Sequence, residues 1–378
     1  MSVITSLKKS VFRFPLQWIG FFLLTGFIAF STEISPQLTL ASPAVRTTRD
    51  LESEVGKLTN PQISPLKKSI TCRSDYNQDM VLCLRRAEAL GAQTVVLTVS
   101  IFQERKDSSS VYLDKAKTLD KRHVQEFVDA AHHDGVLVIL KPILLVANNT
   151  IQRDTIIPKD RKAWFVSYKA MLGTFLIWSK DIDGLVLGTE LTSMQRDEAA
   201  WEDIVSYVRS LRGKLFLAYD INWDALQPLR WLERLDAIGI SAYFPLCTSA
   251  TKPGVKDLVS CWNSGTKQRL LAYVHHYALP FWFTEIGLTA REGSNRTPWT
   301  TPATSWCPQC QANWFIAAIT VWDKTSGFLG FTWWSLTADA CIAKVKNNGF
   351  NYFDDPAYEV LLKYFGRKPI SQQPKKAC

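Results

Sequence analysis

No glycine-rich phosphate cradle occurs in the 378 residues: neither a G-x-G-x-x-G fingerprint nor a P-loop can be found among its 18 glycines. Nucleotide sites built on backbone amides at a helix start are thereby left without their sequence support. Histidine is scarce, with five in the chain, and its two pairs, His132-His133 and His275-His276, are adjacent rather than four apart. A helical zinc site needs the i,i+4 spacing. Cys307-Pro308-Gln309-Cys310 has no second CxxC partner to complete a structural zinc site. No metal and no cofactor is expected. Concentrated basic runs are missing too: the +9 net charge is scattered in doublets such as Lys67-Lys68 and Arg85-Arg86. A surface that tracks phosphates needs a stripe, so nucleic acid is not an expected partner.

An apolar run long enough to span a bilayer is absent as well. The longest, Leu16 to Phe30, follows Lys8, Lys9 and Arg13 and falls short of the ~20 residues a spanning helix requires. Basic residues ahead of a short apolar stretch read as an export signal, with Leu38 to Ala44 offering small residues for cleavage. An uncleaved anchor is the alternative and would be the sole membrane contact. Residues 1–44 are read as signal or anchor, 45–66 as a polar linker, 67–367 as one catalytic domain and 368–378 as a polar tail. The protein is expected to be secreted or otherwise extracytoplasmic, and monomeric. Eight cysteines fit an oxidising compartment. Cys247 and Cys261 bracket a turn-rich segment and are candidates for a bridge; Cys307 is expected in a structural disulfide, to Cys310 or out to Cys341. Two glycosylation sequons begin at Asn148 and Asn295.

What the chain does contain is a repeated alternation. Eight short apolar runs read as strands: 68–72, 94–100, 136–142, 184–188, 215–219, 237–242, 280–284 and 328–333. Amphipathic stretches with apolar residues three and four apart lie between them, for example 79–90, 121–134, 162–180, 199–212, 265–277 and 310–325. Near-continuously apolar strands alternating with helices mean parallel strands covered on both faces. Eight such units in about 300 residues predict an α/β fold, a (β/α)8 TIM barrel. An open doubly wound sheet is the rival, and it would normally carry the glycine-rich turn that is missing.

In such a barrel the chemistry sits where strands end. The fourth run leaves through Thr189-Glu190-Leu191 and the seventh through Thr284-Glu285-Ile286-Gly287. A carboxylate after an apolar run needs a reason, because desolvating a charge costs several kcal/mol. Either glutamate alone could be an ordinary strand-end residue paired with Lys or Arg. Two of them, at ends that face each other across the barrel mouth, predict carboxyls about 5–5.5 Å apart, the separation that suits glycoside hydrolysis with retention.

Gly188-Thr189-Glu190-Leu191 and Phe283-Thr284-Glu285-Ile286-Gly287 resemble the acid/base and nucleophile motifs of glycoside hydrolase family 113, clan A barrels known for endo-β-mannanase activity. The similarity continues through Leu97–Ser100, Leu140–Pro142, Asn222–Asp224, Ile238–Leu246 and Phe331–Trp334, in order along the chain. The resemblance implies Glu285 as nucleophile, Glu190 as general acid/base and Tyr243 with its hydroxyl near Glu285. It favours Trp334 as the floor beneath the reacting sugar. Trp333 stays a candidate beside it, although consecutive strand residues face opposite ways and only one of the two can reach the cleft. Asn222, Trp223 and Lys141 are candidates for neighbouring sugar subsites. Two departures stand out: Lys141-Pro142 continues into Ile143-Leu144-Leu145 where the family commonly has K-P-H, and Ile101-Phe102-Gln103 stands near the place of a family Trp. Subsite contacts choose the sugar, so these bear on mannan specificity. The expected substrate is a β-linked polysaccharide or oligosaccharide. A barrel that binds carbohydrate without turnover, and a hydrolase of another β-glycan, are the alternatives; a pure binder has no need of the glutamate pair.

Overall fold

The computed structural model describes residues 64–74, 80–336, 349–352 and 355–367. The expected signal or anchor (1–44), most of the linker (45–66), Cys341 and the tail (368–378) lie outside them. Eight parallel strands close in sequence order into a barrel. These are β1 (Ser69–Cys72), β2 (Thr94–Gln103), β3 (Leu137–Val146) and β4 (Gly184–Thr189), then β5 (Phe216–Asn222), β6 (Ala237–Ser241), β7 (Phe281–Ile286) and β8 (Phe328–Leu336). The predicted (β/α)8 barrel is what forms.

The helices are α1 (Met80–Leu90), α2 (Lys121–His133), α3 (Arg161–Trp178), α4 (Glu198–Leu211), α5 (Val255–Cys261), α6 (Lys267–His275), α7 (Pro308–Trp322) and α8 (Pro356–Tyr364). Their starts are written locally. Asp120 accepts from the His123 amide and Asp160 from the Ala163 amide, satisfying donors that a first turn leaves open. Pro308 and Pro356 occupy first-turn positions where a missing N–H costs nothing.

Strict alternation fails once. Between β5 and β6 the chain makes only a 3-10 turn, Arg230–Arg234. Its Trp231 is fully buried and stacks on Trp201 of α4 with ring centroids 5.0 Å apart. A bulky indole covers the sheet where a helix would otherwise lie. Between β6 and β7, by contrast, two helices stand on either side of a π-helical turn, Trp262–Thr266, where one amphipathic stretch was expected.

The apolar core has two parts. The larger one fills the layer between strands and helices. The smaller includes Val96, Ile139, Val186, Ala218 and Trp282 inside the barrel, with Leu66 packed among them from the turn before β1. One inward position further along, the same strands become polar: Thr98 follows Val96, Lys141 follows Ile139, Asp220 follows Ala218 and Thr284 follows Trp282. That change is where the core ends and the site begins.

The disulfides are Cys247–Cys261 and Cys307–Cys310 among the described residues; Cys72 and Cys83 are buried thiols. Of the two sequons, the one at Asn295 is occupied structurally. Its side-chain amide donates to the carbonyls of Leu246, Cys247 and Ala250 at 2.8, 3.1 and 3.2 Å, so the folded chain offers no free amide there.

Candidate active site

Glu285 reaches the barrel mouth through a register irregularity. Gly239 pairs with Trp282 while Ser241 pairs with Glu285, so β7 carries one residue more than β6 over this span. A bulge of this kind re-aims side chains. Thr284 keeps the inward direction of Trp282, and Glu285 follows it inward instead of alternating out to join Phe283. Gly287 then lets β7 and β8 approach closely: a Cβ there would lie 2.6 Å from the Trp334 carbonyl oxygen. The glycine of the E-I-G motif is thus a packing requirement.

Glu190 is delivered differently. β4 also shifts register, between Val186 and Thr189 against β5, and Glu190 itself adopts φ +54°. Left-handed backbone at a residue with a Cβ costs on the order of 1–2 kcal/mol and is retained only where surroundings impose it. Here the Glu190 amide donates to the Asp220 carbonyl at 2.9 Å, and the Thr189 hydroxyl donates to the Pro142 carbonyl at 3.1 Å.

Both carboxylates open onto one cleft of about 650 Å³ at the C-terminal ends of the strands. Trp334 and Tyr243 line it, as do Asn222, Trp223 and Trp299. Trp299 and Trp223 stack with centroids 5.2 Å apart, and Trp299 is 46% exposed. Ile143 and Leu145, where the family pattern has a polar residue, give this wall an apolar stretch. Gln103 does not face the cleft; it is buried and accepts from the Trp164 indole at 2.7 Å.

Glu285 has both oxygens engaged. The Lys141 ammonium donates to Oε1 at 2.5 Å and the Tyr243 hydroxyl donates to Oε2 at 3.0 Å. Glu190 accepts from the Arg153 guanidinium at 2.6 Å. Burial pushes the Glu190 carboxyl up to about 7; Arg153 pulls it down, and the charges of Glu285 and Asp220 push it up again. Burial likewise raises the Tyr243 phenol, aided by Glu285 and Glu190, so this hydroxyl stays protonated and can only donate to the carboxylate.

Two sequence expectations need correction. Lys141 does not reach a sugar subsite: its side chain is fully buried, bound to Asp220 Oδ2 at 2.6 Å as well as to Glu285. β3 runs on to Val146, five residues past Lys141, which therefore lies below the rim. Trp333 is fully buried on the helix side, 4.4 Å in centroid distance from Phe315 of α7 and 5.0 Å from Phe331, as strand parity demands once Trp334 faces the cleft. Asn222, Trp223, Tyr243 and Trp334 line the cleft.

Several residues here were not foreseen. Asp220 was missed because its strand was expected to stop at Tyr219; a single acid at an inward position of an apolar run was the available signal. Arg153 comes from a 3-10 turn in the long β3–α3 connection and Trp299 from the β7–α7 connection, neither of which carries a period. Arg73, after β1, lies over the Trp334 ring at 5.3 Å. Asp154 and Asp224 also border the cleft, and burial, then the Asp224 charge, raises the Asp154 carboxyl.

Comparison with known proteins bears on the barrel and its family. The family model described as Glycoside Hydrolase Family 113 matches residues 70–354. A solved structure described as a complex of a GH113 β-1,4-mannanase is 22% identical with TM-score 0.70, covering 80% of this chain and 99% of that one. A GH113 β-mannanase from Alicyclobacillus acidocaldarius is 20% identical with TM-score 0.69, covering 79% and 97%. A β-glucuronidase from Ruminococcus gnavus is 13% identical with TM-score 0.55, covering 79% of this chain and half of that one. No curated protein sequence matches. At such identities the structural likeness speaks for the barrel alone, but the family match spans the whole of it, from β1 past β8: the chain belongs to glycoside hydrolase family 113.

Proposed function

We propose that this glycoside hydrolase cleaves a β-linked glycan, with β-1,4-mannan the first candidate, by double displacement through Glu285 and Glu190. The carrying observation is the unequal treatment of two carboxylates on one cleft. Burial holds Glu190 at about 7, so that it carries a proton near neutrality, while Glu285 accepts hydrogen bonds on both oxygens, from the Lys141 ammonium and the Tyr243 phenol.

The sugar to be cleaved rests over Trp334, whose flat face suits the C–H face of a pyranose. Glu285 Oε2, the oxygen held by Tyr243 and not by Lys141, bonds to the anomeric carbon as the bond from that carbon to the leaving oxygen breaks, and Glu190 gives its proton to that oxygen. The resulting ester has no charge at Glu285, which removes one of the influences raising Glu190; Arg153 then favours the carboxylate, which takes a proton from water. The water oxygen bonds to the anomeric carbon, Glu285 leaves as carboxylate, and the configuration is retained. Trp223, Trp299 and Asn222 extend the cleft for further sugar units.

Family membership and neighbours described as β-1,4-mannanases support mannan; the apolar Ile143 and Leu145 wall is where this chain can differ. A panel of β-1,4-linked manno-, gluco- and xylo-oligosaccharides followed by NMR is expected to give manno-oligosaccharides whose first-formed product is the β-anomer. Products from another glycan alone would replace the substrate, and a first-formed α-anomer would overturn the double displacement. Action outside the cytoplasm is supported by the two disulfides and by the charged and apolar pattern of residues 1–44.

A second expectation concerns pH. Activity needs the Glu190 proton, so kcat/KM should fall as pH rises through about 7. The same shift has a stability consequence. A folded-state value above that of the unfolded chain means that the fold binds this proton more tightly; the stabilisation is present below the ordinary glutamate range and is lost as pH rises through about 7. The difference is at most roughly 3 kcal/mol. Glu190→Gln should therefore melt a few degrees above wild type at pH 8 and close to it at pH 4. An equal difference at both values would count against the shifted carboxyl.

A further inference from the structure

Below the cleft floor, Lys141 touches no cleft surface and is closed in by the barrel. Burying an ion pair this deeply rarely adds net stability relative to apolar packing. Its partners explain its presence better than stability does. Nζ lies 2.6 Å from Asp220 Oδ2 and 2.5 Å from Glu285 Oε1, bridging β3, β5 and β7. Asp220 is itself held by the Ser241 hydroxyl, 3.0 Å from each carboxylate oxygen, and by the Thr284 hydroxyl.

Resting on the double displacement proposed above, we infer that Lys141 is the positioning residue for the nucleophile: it fixes Glu285 Oε1 and leaves Oε2 to attack, while Asp220 balances its charge when Glu285 becomes an ester. Before attack, one cation faces two carboxylates. In the ester state Lys141 and Asp220 remain as a neutral pair, so no isolated charge is left in the barrel at any stage. The ammonium also polarises the ester carbonyl at Oε1, which helps Glu285 depart in the second step. Tyr243 contributes a weaker, neutral hydrogen bond to the attacking oxygen, one that can be given up as the new bond forms.

The charged and titratable groups acting on Glu285 are Lys141 from β3, Asp220 from β5, Tyr243 after β6, and Glu190 after β4 with its Arg153 partner. Removing Lys141 alone would strand two buried carboxylates. The test is therefore the neutral pair Lys141→Met/Asp220→Asn in the full chain, beside Lys141→Arg. In the double variant Glu285 loses the direct hydrogen bond from a cation at 2.5 Å and also the like charge of Asp220, which acts on it without a hydrogen bond; the first loss outweighs the second, so the acidic limb of the kcat/KM profile should move up, and kcat should fall at least about tenfold. Titration of the Glu285 carboxyl by carbon-13 NMR should move the same way. Lys141→Arg keeps a cation, so its acidic limb should stay with wild type while the displaced geometry lowers kcat.

An acidic limb and a carboxyl titration unchanged in the double variant would reduce Lys141 to packing, and so would a Lys141→Arg limb that moves although the charge is kept. The NMR titration needs no turnover. If it moves while wild type cleaves none of the glycans, the double displacement is wrong and the electrostatic role of Lys141 survives; if hydrolysis is sound and neither limb nor titration moves, the reverse holds.

Discussion

Replacing Glu285 by alanine is expected to lower kcat at least about a thousandfold on any glycan the enzyme cleaves, because the covalent step disappears. The fold should tolerate the change. Glu285 takes with it one negative charge of a site holding Lys141 and Asp220, and those two remain paired at 2.6 Å. Tyr243 loses its acceptor but lines the open cleft, where water can replace it. Near-normal melting with activity lost would therefore isolate chemistry from folding. Azide gives a sharper reading. It should enter the space vacated by the carboxylate and attack from the nucleophile's side, giving an α-glycosyl azide from a β-linked substrate with an activated leaving group. A Glu285→Ala protein as active as wild type would remove the assignment altogether.

How far the sequence leads to this site depends on which physical rule delivers each residue. The barrel is legible because strands buried on both faces must be apolar throughout, and all ten positions of β2 are indeed buried. The order of eight such runs then leaves few topologies. Strand parity also separates Trp333 from Trp334, given either one. What parity cannot provide is an irregularity. Glu285 faces inward through an extra residue in β7, and Glu190 through left-handed backbone; neither follows from hydrophobic spacing. The motifs found the two glutamates, but not the means that aim them.

The misplacement of Lys141 has a similar origin. Ending the third strand at Pro142 puts the lysine at a rim, whereas β3 continues through Ile143-Leu144-Leu145-Val146 in ten-residue register with β2. The expected strand ends at the proline, yet proline lacks only an N–H, and a single lost donor can be tolerated in a strand so long. With that boundary moved, a lysine at an inward position becomes a buried cation that demands counterions. Asp220, one residue past the expected end of its strand, is the counterion. Arg153 and Trp299 sit in connections that have no period, so tertiary structure alone brings them to the cleft.

Removal of the other carboxylate should give an effect that depends on the leaving group. In Glu190→Ala no proton reaches the glycosidic oxygen, so cleavage between sugars, where the departing alkoxide is poor, should slow by about 10²–10⁴ in kcat/KM. A dinitrophenyl glycoside departs without protonation. Its bond cleavage should therefore persist within about tenfold of wild type, while breakdown of the ester slows for want of a base, giving a burst of phenolate followed by a slow steady state. Azide, which needs no base, should relieve that second step and yield a β-glycosyl azide, opposite in configuration to the product from Glu285→Ala. The loss of the carboxyl that ionises near 7 should also flatten the alkaline limb of the profile. Arg153, left without Glu190, would remain partly exposed, with its hydrogen bond to the Leu144 carbonyl at 3.1 Å, and should not disturb the fold. A uniform loss across leaving groups, with no burst and no azide effect, would mean that Glu190 acts on substrate binding and that the proton comes from elsewhere.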